Sequence, residues 1–160
     1  MNLVQFKMTT PIGPLYLIAS AKGLKGIYWS KQEVKSVASL DNSRQEEKIL
    51  DDASLQLAEY FAGTRKSFNV PFDLEGTPFQ IKVWNALSKI PYGQTAAYQD
   101  IARNINNSKA VRAVGSANGK NPLCVMIPCH RVITSAGTIG GYAGGVDVKR
   151  QLLALEGKVL

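Results

Sequence analysis

Ile127-Pro128-Cys129-His130-Arg131-Val132 sets a cysteine directly before the only histidine in 160 residues. Cysteine is the strongest side-chain nucleophile, but the attacking species is the thiolate, and a free thiol with a pKa of about 8.5 is mostly protonated at neutral pH. An imidazole is the usual base that draws the proton away. Prolines at 122 and 128 stiffen the approach to this pair. Two plainer readings stand beside the chemical one. Cysteine often packs as a small buried hydrophobe, and neighbours in sequence diverge on a strand or around a helix. Adjacency alone does not choose between them.

The charges are unevenly divided. Residues 1–75 carry nine Lys and Arg against nine Asp and Glu, whereas residues 76–160 carry ten against three, which is the whole net charge of +7. A neutral half joined to a basic half points to a polyanionic partner for the second half, with nucleic acid first. A merely soluble basic surface is the alternative. Cys124 and Cys129 are the only cysteines. Five residues apart, they would gain little from a disulfide, because the benefit grows with the loop closed. Reduced thiols in the cytoplasm fit better. Two Cys and one His fall short of the four ligands of a structural zinc site. No apolar run approaches the roughly 18 residues of a membrane span, and Met1-Asn2-Leu3-Val4-Gln5 lacks the regions of a signal peptide.

These reactive residues need elements to hold them. Val4–Met8, Leu15–Ala19 and Leu24–Trp29 read as strands, with turns at 10–14 and 21–23. Residues 31–50 are polar and fit loop or helix. Asp51–Ala62 reads as an amphipathic helix with Leu55, Ala58, Tyr60 and Phe61 as its apolar contacts. Val70–Gly76 reads as a linker. Thr77, Pro78 and Gln80 then form a helix start with a capping box, followed by one apolar face of Phe79, Val83, Trp84, Leu87 and Ile90. A second helix over 97–105 and a third over 109–118, joined by Asn106-Asn107-Ser108, resemble a helix-turn-helix. On the third, Ala110, Ala113, Gly115, Ser116 and Ala117 leave a nearly bare surface broken by Arg112. Small residues allow tight helix packing, and they equally allow approach to a DNA groove.

Taken in order, several blocks resemble the O(6)-alkylguanine-DNA alkyltransferases, the methylated-DNA–protein-cysteine methyltransferases of direct repair. They are Ile90-Pro91-Tyr92-Gly93, Tyr98, Arg112-Ala113-Val114-Gly115, Asn121-Pro122, the Cys129-His130 run, Gly141-Tyr142-Ala143-Gly144-Gly145 and Leu152-Leu153-Ala154-Leu155-Glu156-Gly157. The match runs from about Thr77 to Glu156. The resemblance implies an α/β (α+β) protein: a small ribonuclease H-like sheet-and-helix domain over 1–75, then a helical, winged helix-turn-helix domain over 76–160 for DNA binding and alkyl transfer. It implies that Cys129 takes the alkyl group from O(6)-alkylguanine, and from O(4)-alkylthymine, in one irreversible turnover. His130 would draw off the thiol proton through a water, Glu156 would orient the imidazole, and Asn121 would brace the loop. Tyr98 would donate to the leaving guanine. Val132, Tyr142 and Ala143 would wall the base pocket. A stacked base hides its alkyl carbon and must be flipped out, and the resemblance puts Ala110, Ala113, Gly115 and Tyr98 in the minor groove of double-stranded DNA with Arg112 filling the gap. The expected protein is a monomer that needs neither cofactor nor metal and has no membrane partner.

Some positions depart from the family pattern. Ala97 stands where many members have Ser or Thr, so the second helix should be less well capped. Ala143 replaces a serine, and Cys124 is expected to line the pocket. Three other functions compete. A non-catalytic binder of alkylated DNA would not need Cys129. A transcriptional regulator would need more base readout than one arginine gives. A cysteine hydrolase gains nothing from the basic half.

Overall fold

The computed structural model describes residues 2–34 and 44–160. The chain divides into two compact units, Met1–Glu75 and Gly76–Leu160. In the first, β1 (Val4–Thr10), β2 (Gly13–Ser20) and β3 (Gly23–Tyr28) form an antiparallel sheet in that order. The tight β1–β2 turn closes on Thr10, whose hydroxyl donates to Gly13 O at 2.5 Å and accepts from Ile12 N at 3.2 Å. β2 lies in the middle, and its Leu15, Leu17 and Ala19 are fully buried.

Helix α1 (Gln45–Phe61) packs on this sheet. It begins six residues before the start expected at Asp51, within the polar stretch left open as loop or helix; residues 35–43 of that stretch lie outside the described residues. Its buried stripe is Ile49, Leu50, Ala53, Leu57 and Tyr60. Leu55 is 60% exposed and Ala58 is exposed, so neither makes the core contact expected of it. The period of 3.6 residues explains the difference: once Ile49, Leu50 and Leu57 face the sheet, Leu55 and Ala58 face away.

The supposed linker is also partly structural. Leu24 donates to Pro71 O at 2.7 Å and accepts from Asp73 N at 2.9 Å, so Phe72 lies parallel beside β3. A Cβ on Gly23 would stand 2.6 Å from Pro71 O, so only glycine allows that approach. Ser20 Oγ fixes Asp73 at 2.6 Å, closing the strand's outer end.

The second unit opens on α2 (Pro78–Leu87) with the expected capping box: Gln80 N donates to Thr77 Oγ1 at 3.1 Å and Thr77 N to Gln80 Oε1 at 3.0 Å. α3 (Tyr98–Asn104) and α4 (Val111–Gly119) follow, and both pack against α2. Trp84 Nε1 donates to Ala117 O at 2.9 Å, tying α2 to α4. Ala97 has no side-chain cap to offer α3, as expected, yet Asp100 Oδ2 reaches back to Ala97 N at 2.8 Å and supplies half of one. Between α3 and α4 the turn needs Asn106 at φ +59°, a conformation asparagine tolerates better than most residues.

Three further pieces lacked a strong periodic signal. β4 (Ala96–Ala97) pairs in parallel with β5 (Val132–Ile133). Cys129–Arg131 forms one 3-10 turn that feeds β5. α5 (Val146–Leu155) buries Lys149, Leu152 and Leu153. Among the described residues, no helix is long and apolar enough to cross a membrane.

Candidate active site

Cys129, His130 and Arg131 occupy a single 3-10 turn, and all three are buried. Such a turn brings residues one to three apart close together. The next element, β5, is locked to β4, and β4 runs straight into α3 at Tyr98. The short parallel pair therefore joins the nucleophile's turn to the start of the helix that carries the tyrosine.

Glu156, just past the end of α5, is the hub. Its carboxylate accepts from His130 Nε2 at 2.7 Å, from Arg131 Nε at 2.7 Å and from Arg131 Nη2 at 3.1 Å. His130 is completely buried and Glu156 nearly so. The bidentate arginine balances the carboxylate charge, so the imidazole is not needed as a cation. Burial pushes the His130 pKa below its usual value, against the opposing pull of Glu156. A neutral ring that donates Nε2–H to Glu156 carries its lone pair on Nδ1. That atom is buried and meets no hydrogen-bond partner among the described residues. It is the basic atom of the site.

Arg131 also reaches Ile90 O at 2.7 Å, Tyr92 Oη donates to Leu155 O at 3.3 Å, and Gly93 N approaches Glu156 Oε1 at 3.4 Å. The Ile90–Gly93 segment is thus pinned to the same carboxylate. Its φ of +78° at Gly93, with Glu156 O only 3.1 Å from where a Cβ would sit, requires glycine there.

Burial raises the Cys129 pKa, while hydrogen bonds from Asn121 and Tyr142 and the charge of Lys149 lower it. Asn121 also braces its loop from both ends. Its Nδ2 donates to Ile127 O at 2.7 Å and its Oδ1 accepts from Leu123 N at 3.0 Å. Inside that brace Val125 holds φ +73°, a strained conformation for a β-branched residue. Cys124 is buried, and both its own burial and the charge of Cys129 raise its pKa well above the ordinary thiol value. It is the less reactive sulfur.

Lys149 is the residue that sequence reasoning missed. It is completely buried on α5, and its Nζ donates to Val132 O at 2.6 Å and Gly141 O at 3.1 Å. Burial brings its pKa down to about 8, against the pull of Cys129. A lysine in an otherwise amphipathic helix reads from sequence as solvated surface; only the fold turns it inward. Arg131 likewise carries no evident task in the sequence. Its signal was weak: one more cation in a basic half.

Tyr98 is half-buried at the first position of α3, and burial followed by the charge of Cys129 raises its pKa, so it remains a proton donor. Its hydroxyl would stand 3.6 Å from a Cβ on Gly140, which would also lie 3.7 Å from Lys149 Nζ. Gly115 of α4 faces the Tyr98 ring, where a Cβ would meet ring carbons at 3.9 Å. Val132 is buried, Tyr142 is half-buried and Ala143 is exposed. On α4, Arg112, Ala113 and Ser116 are exposed and Ala110 is half-buried at the helix start. Ala117 is 3% exposed and belongs to the packed face, not to the bare surface expected of it.

The chain has recognisable relatives. Residues 78–158 match the family described as 6-O-methylguanine DNA methyltransferase, DNA binding domain, and residues 3–74 match its ribonuclease-like domain. The methylated-DNA–protein-cysteine methyltransferase of Methanosarcina acetivorans is 49% identical over 148 residues, covering 92% of this chain and 94% of that protein. The constitutive protein of the same name from Bacillus subtilis is 43% identical over 150 residues, covering 92% and 91%. The O6-methylguanine methyltransferase of Mycobacterium tuberculosis superposes with a TM-score of 0.82 at 41% identity, covering 96% of this chain and 92% of that one. OGT of the same organism, solved in complex with DNA, gives 0.79 at 41%, covering 94% and 90%.

Two outcomes follow from the geometry. Glu156→Ala leaves a buried arginine and histidine without their acceptor, and denaturant unfolding should show a loss of about 3–5 kcal/mol. The depressed His130 pKa means that the unfolded state takes up the proton first as pH falls. Stability should therefore decline below about pH 6.5, down to the folded value, and His130→Asn should flatten that part of the stability–pH curve.

Proposed function

Because the chain belongs to the 6-O-methylguanine DNA methyltransferase family, we propose that it repairs DNA by taking the alkyl group of O(6)-alkylguanine onto Cys129. The observation that carries this reading is the buried Arg131–Glu156–His130 network, two members of which share the 3-10 turn of a thiol that takes hydrogen bonds from Asn121 and Tyr142 and feels the charge of Lys149. Such a network has no purpose for a packing cysteine.

In the reaction Cys129 Sγ forms a bond to the alkyl carbon while that carbon's bond to guanine O6 breaks. The thiol proton passes through a water to His130 Nδ1, the atom left open when Glu156 holds Nε2. Arg131 keeps the carboxylate charge balanced, so the imidazole stays neutral until it accepts. The Lys149 ammonium and the Asn121 amide favour the thiolate at the moment it forms. Tyr98, held as a phenol by burial, gives its proton to the departing guanine and recovers one afterwards. The products are a thioether and intact guanine. A thioether offers no leaving group, so each molecule acts once.

DNA is the partner of the second unit, which carries the whole excess of positive charge. The exposed face of α4, with Ala113 and Ser116 small and Arg112 long, suits a minor groove roughly 6 Å wide. Arg112 occupies the space vacated by the flipped nucleotide, and the Tyr142–Ala143 loop with the Val132 backbone receives the base. The protein works as a monomer with no cofactor.

After incubation with an oligonucleotide bearing O(6)-methylguanine, whole-protein mass should rise by one methylene, and peptide mapping should put it on Cys129. Cys129→Ser should bind the DNA and gain no mass, whereas Cys124→Ser should stay active. The alkyl group on Cys124 would overturn the assignment. Arg112→Ala should slow repair of duplex DNA at least about tenfold, the equivalent of 1.4 kcal/mol, with little effect on reaction with free O(6)-benzylguanine. Equal losses on both would give Arg112 a structural role instead.

A further inference from the structure

The second unit holds a cavity of about 580 Å³ outside the cysteine site, lined by Lys82, Asn85 and Ala86 of α2, by Lys89 in the turn just past that helix, and by Asn104, Ile105 and Asn106 at the end of α3. Lys82, Asn85 and Ala86 fall at positions i, i+3 and i+4, so they share one face of α2. No carboxylate lines the cavity. Lys82, Asn85, Lys89, Asn104 and Asn106 are all exposed, and among the described residues no hydrogen bond or ion pair engages their side chains. Five polar side chains therefore converge with their donors unspent.

A helix end normally repels anions, because its last carbonyls are bare. Here the end of α3 is closed: Ile105 N donates to Ile101 O at 3.1 Å, Asn106 N to Arg103 O at 2.9 Å and Asn107 N to Ala102 O at 2.9 Å. What faces the cavity is amide and ammonium. The cavity also adjoins the turn that leads into α4, the helix read above as the DNA-facing one.

We propose that this cavity is a phosphodiester-binding site that holds the DNA backbone beside the lesion, with Lys82 and Lys89 each neutralising one phosphate and the asparagine amides donating to its oxygens. It rests on the DNA-repair reading and extends it: α4 serves the lesion, and the α2–α3 cavity fixes the flanking strand. Contacts of this kind set register and affinity without reading sequence.

The test compares Lys82→Gln/Lys89→Gln with a control of equal charge loss in the first unit, Lys7→Gln/Lys22→Gln. The cavity pair should lower the slope of log affinity against log salt by about 1.8, and duplex affinity at 0.1 M salt should fall more than about tenfold, for any sequence. Lys82→Arg/Lys89→Arg should retain both, and all variants should react with free O(6)-benzylguanine at the normal rate. An unchanged slope in the cavity pair, or the same drop in the control pair, would overturn the proposal. So would a site filled by inorganic phosphate, seen as shifts of the Asn85 and Asn104 side-chain amide signals, with duplex binding unaltered by the two substitutions. A wild-type protein that bound no duplex would instead sink the repair reading itself, a separable result.

Discussion

One carboxylate organises the second unit. Glu156 is buried, and removing a charge from water is tolerable only where partners replace the lost hydration. Arg131 supplies two hydrogen bonds and a balancing charge, His130 supplies a third hydrogen bond, and Gly93 N comes within 3.4 Å. These partners come from the 3-10 turn and from the Ile90–Gly93 segment, while Glu156 itself follows α5. Segments separated by more than sixty residues are thereby fixed to one atom group. The same bonds fix the imidazole, because a neutral ring held through Nε2 leaves only Nδ1 with a free lone pair.

Burial sets the opposing problem. A dry site protects a reactive sulfur and strengthens every local field, yet it penalises the thiolate that must attack. The site answers with neutral donors and one cation: Asn121, Tyr142 and the buried Lys149 all favour the ionised sulfur. Lys149 is itself held by two backbone carbonyls, Val132 O and Gly141 O. Its ammonium therefore links the strand after the nucleophile to the loop carrying Tyr142. The strained Val125 inside the Asn121 brace belongs to the same arrangement, in which local backbone cost of about 1–3 kcal/mol is borne where geometry matters.

Helix α4 carries small residues on both its buried and its exposed face. Val114 and Ala117 are buried, and Ala117 O accepts the Trp84 indole. Gly115 leaves room for the Tyr98 ring. The remaining small residues, Ala113 and Ser116, stay exposed beside Arg112. Packing accounts for the buried small residues, and the exposed ones take no part in it.

Much of this was legible in the chain itself. Strand alternation, the Thr77–Gln80 capping box and the Trp84 face are local patterns with local causes, and they appear where expected. The Cys129–His130 adjacency and the split of charge are plain in the chain, since residue types and net charge need no coordinates. Where periodicity was weak or the partner distant, sequence fell short. The α1 stripe slipped past Leu55 because its true start lay in a polar stretch, and Val70–Gly76 passed for a linker because its partner, β3, lies more than forty residues away. Arg131 and Lys149 look like ordinary surface cations in the sequence. Only tertiary structure turned them inward, because a buried carboxylate and a buried thiol have to find their counter-charges somewhere, and in this fold they come from Arg131 beside Cys129 and His130 and from Lys149 across the unit on α5.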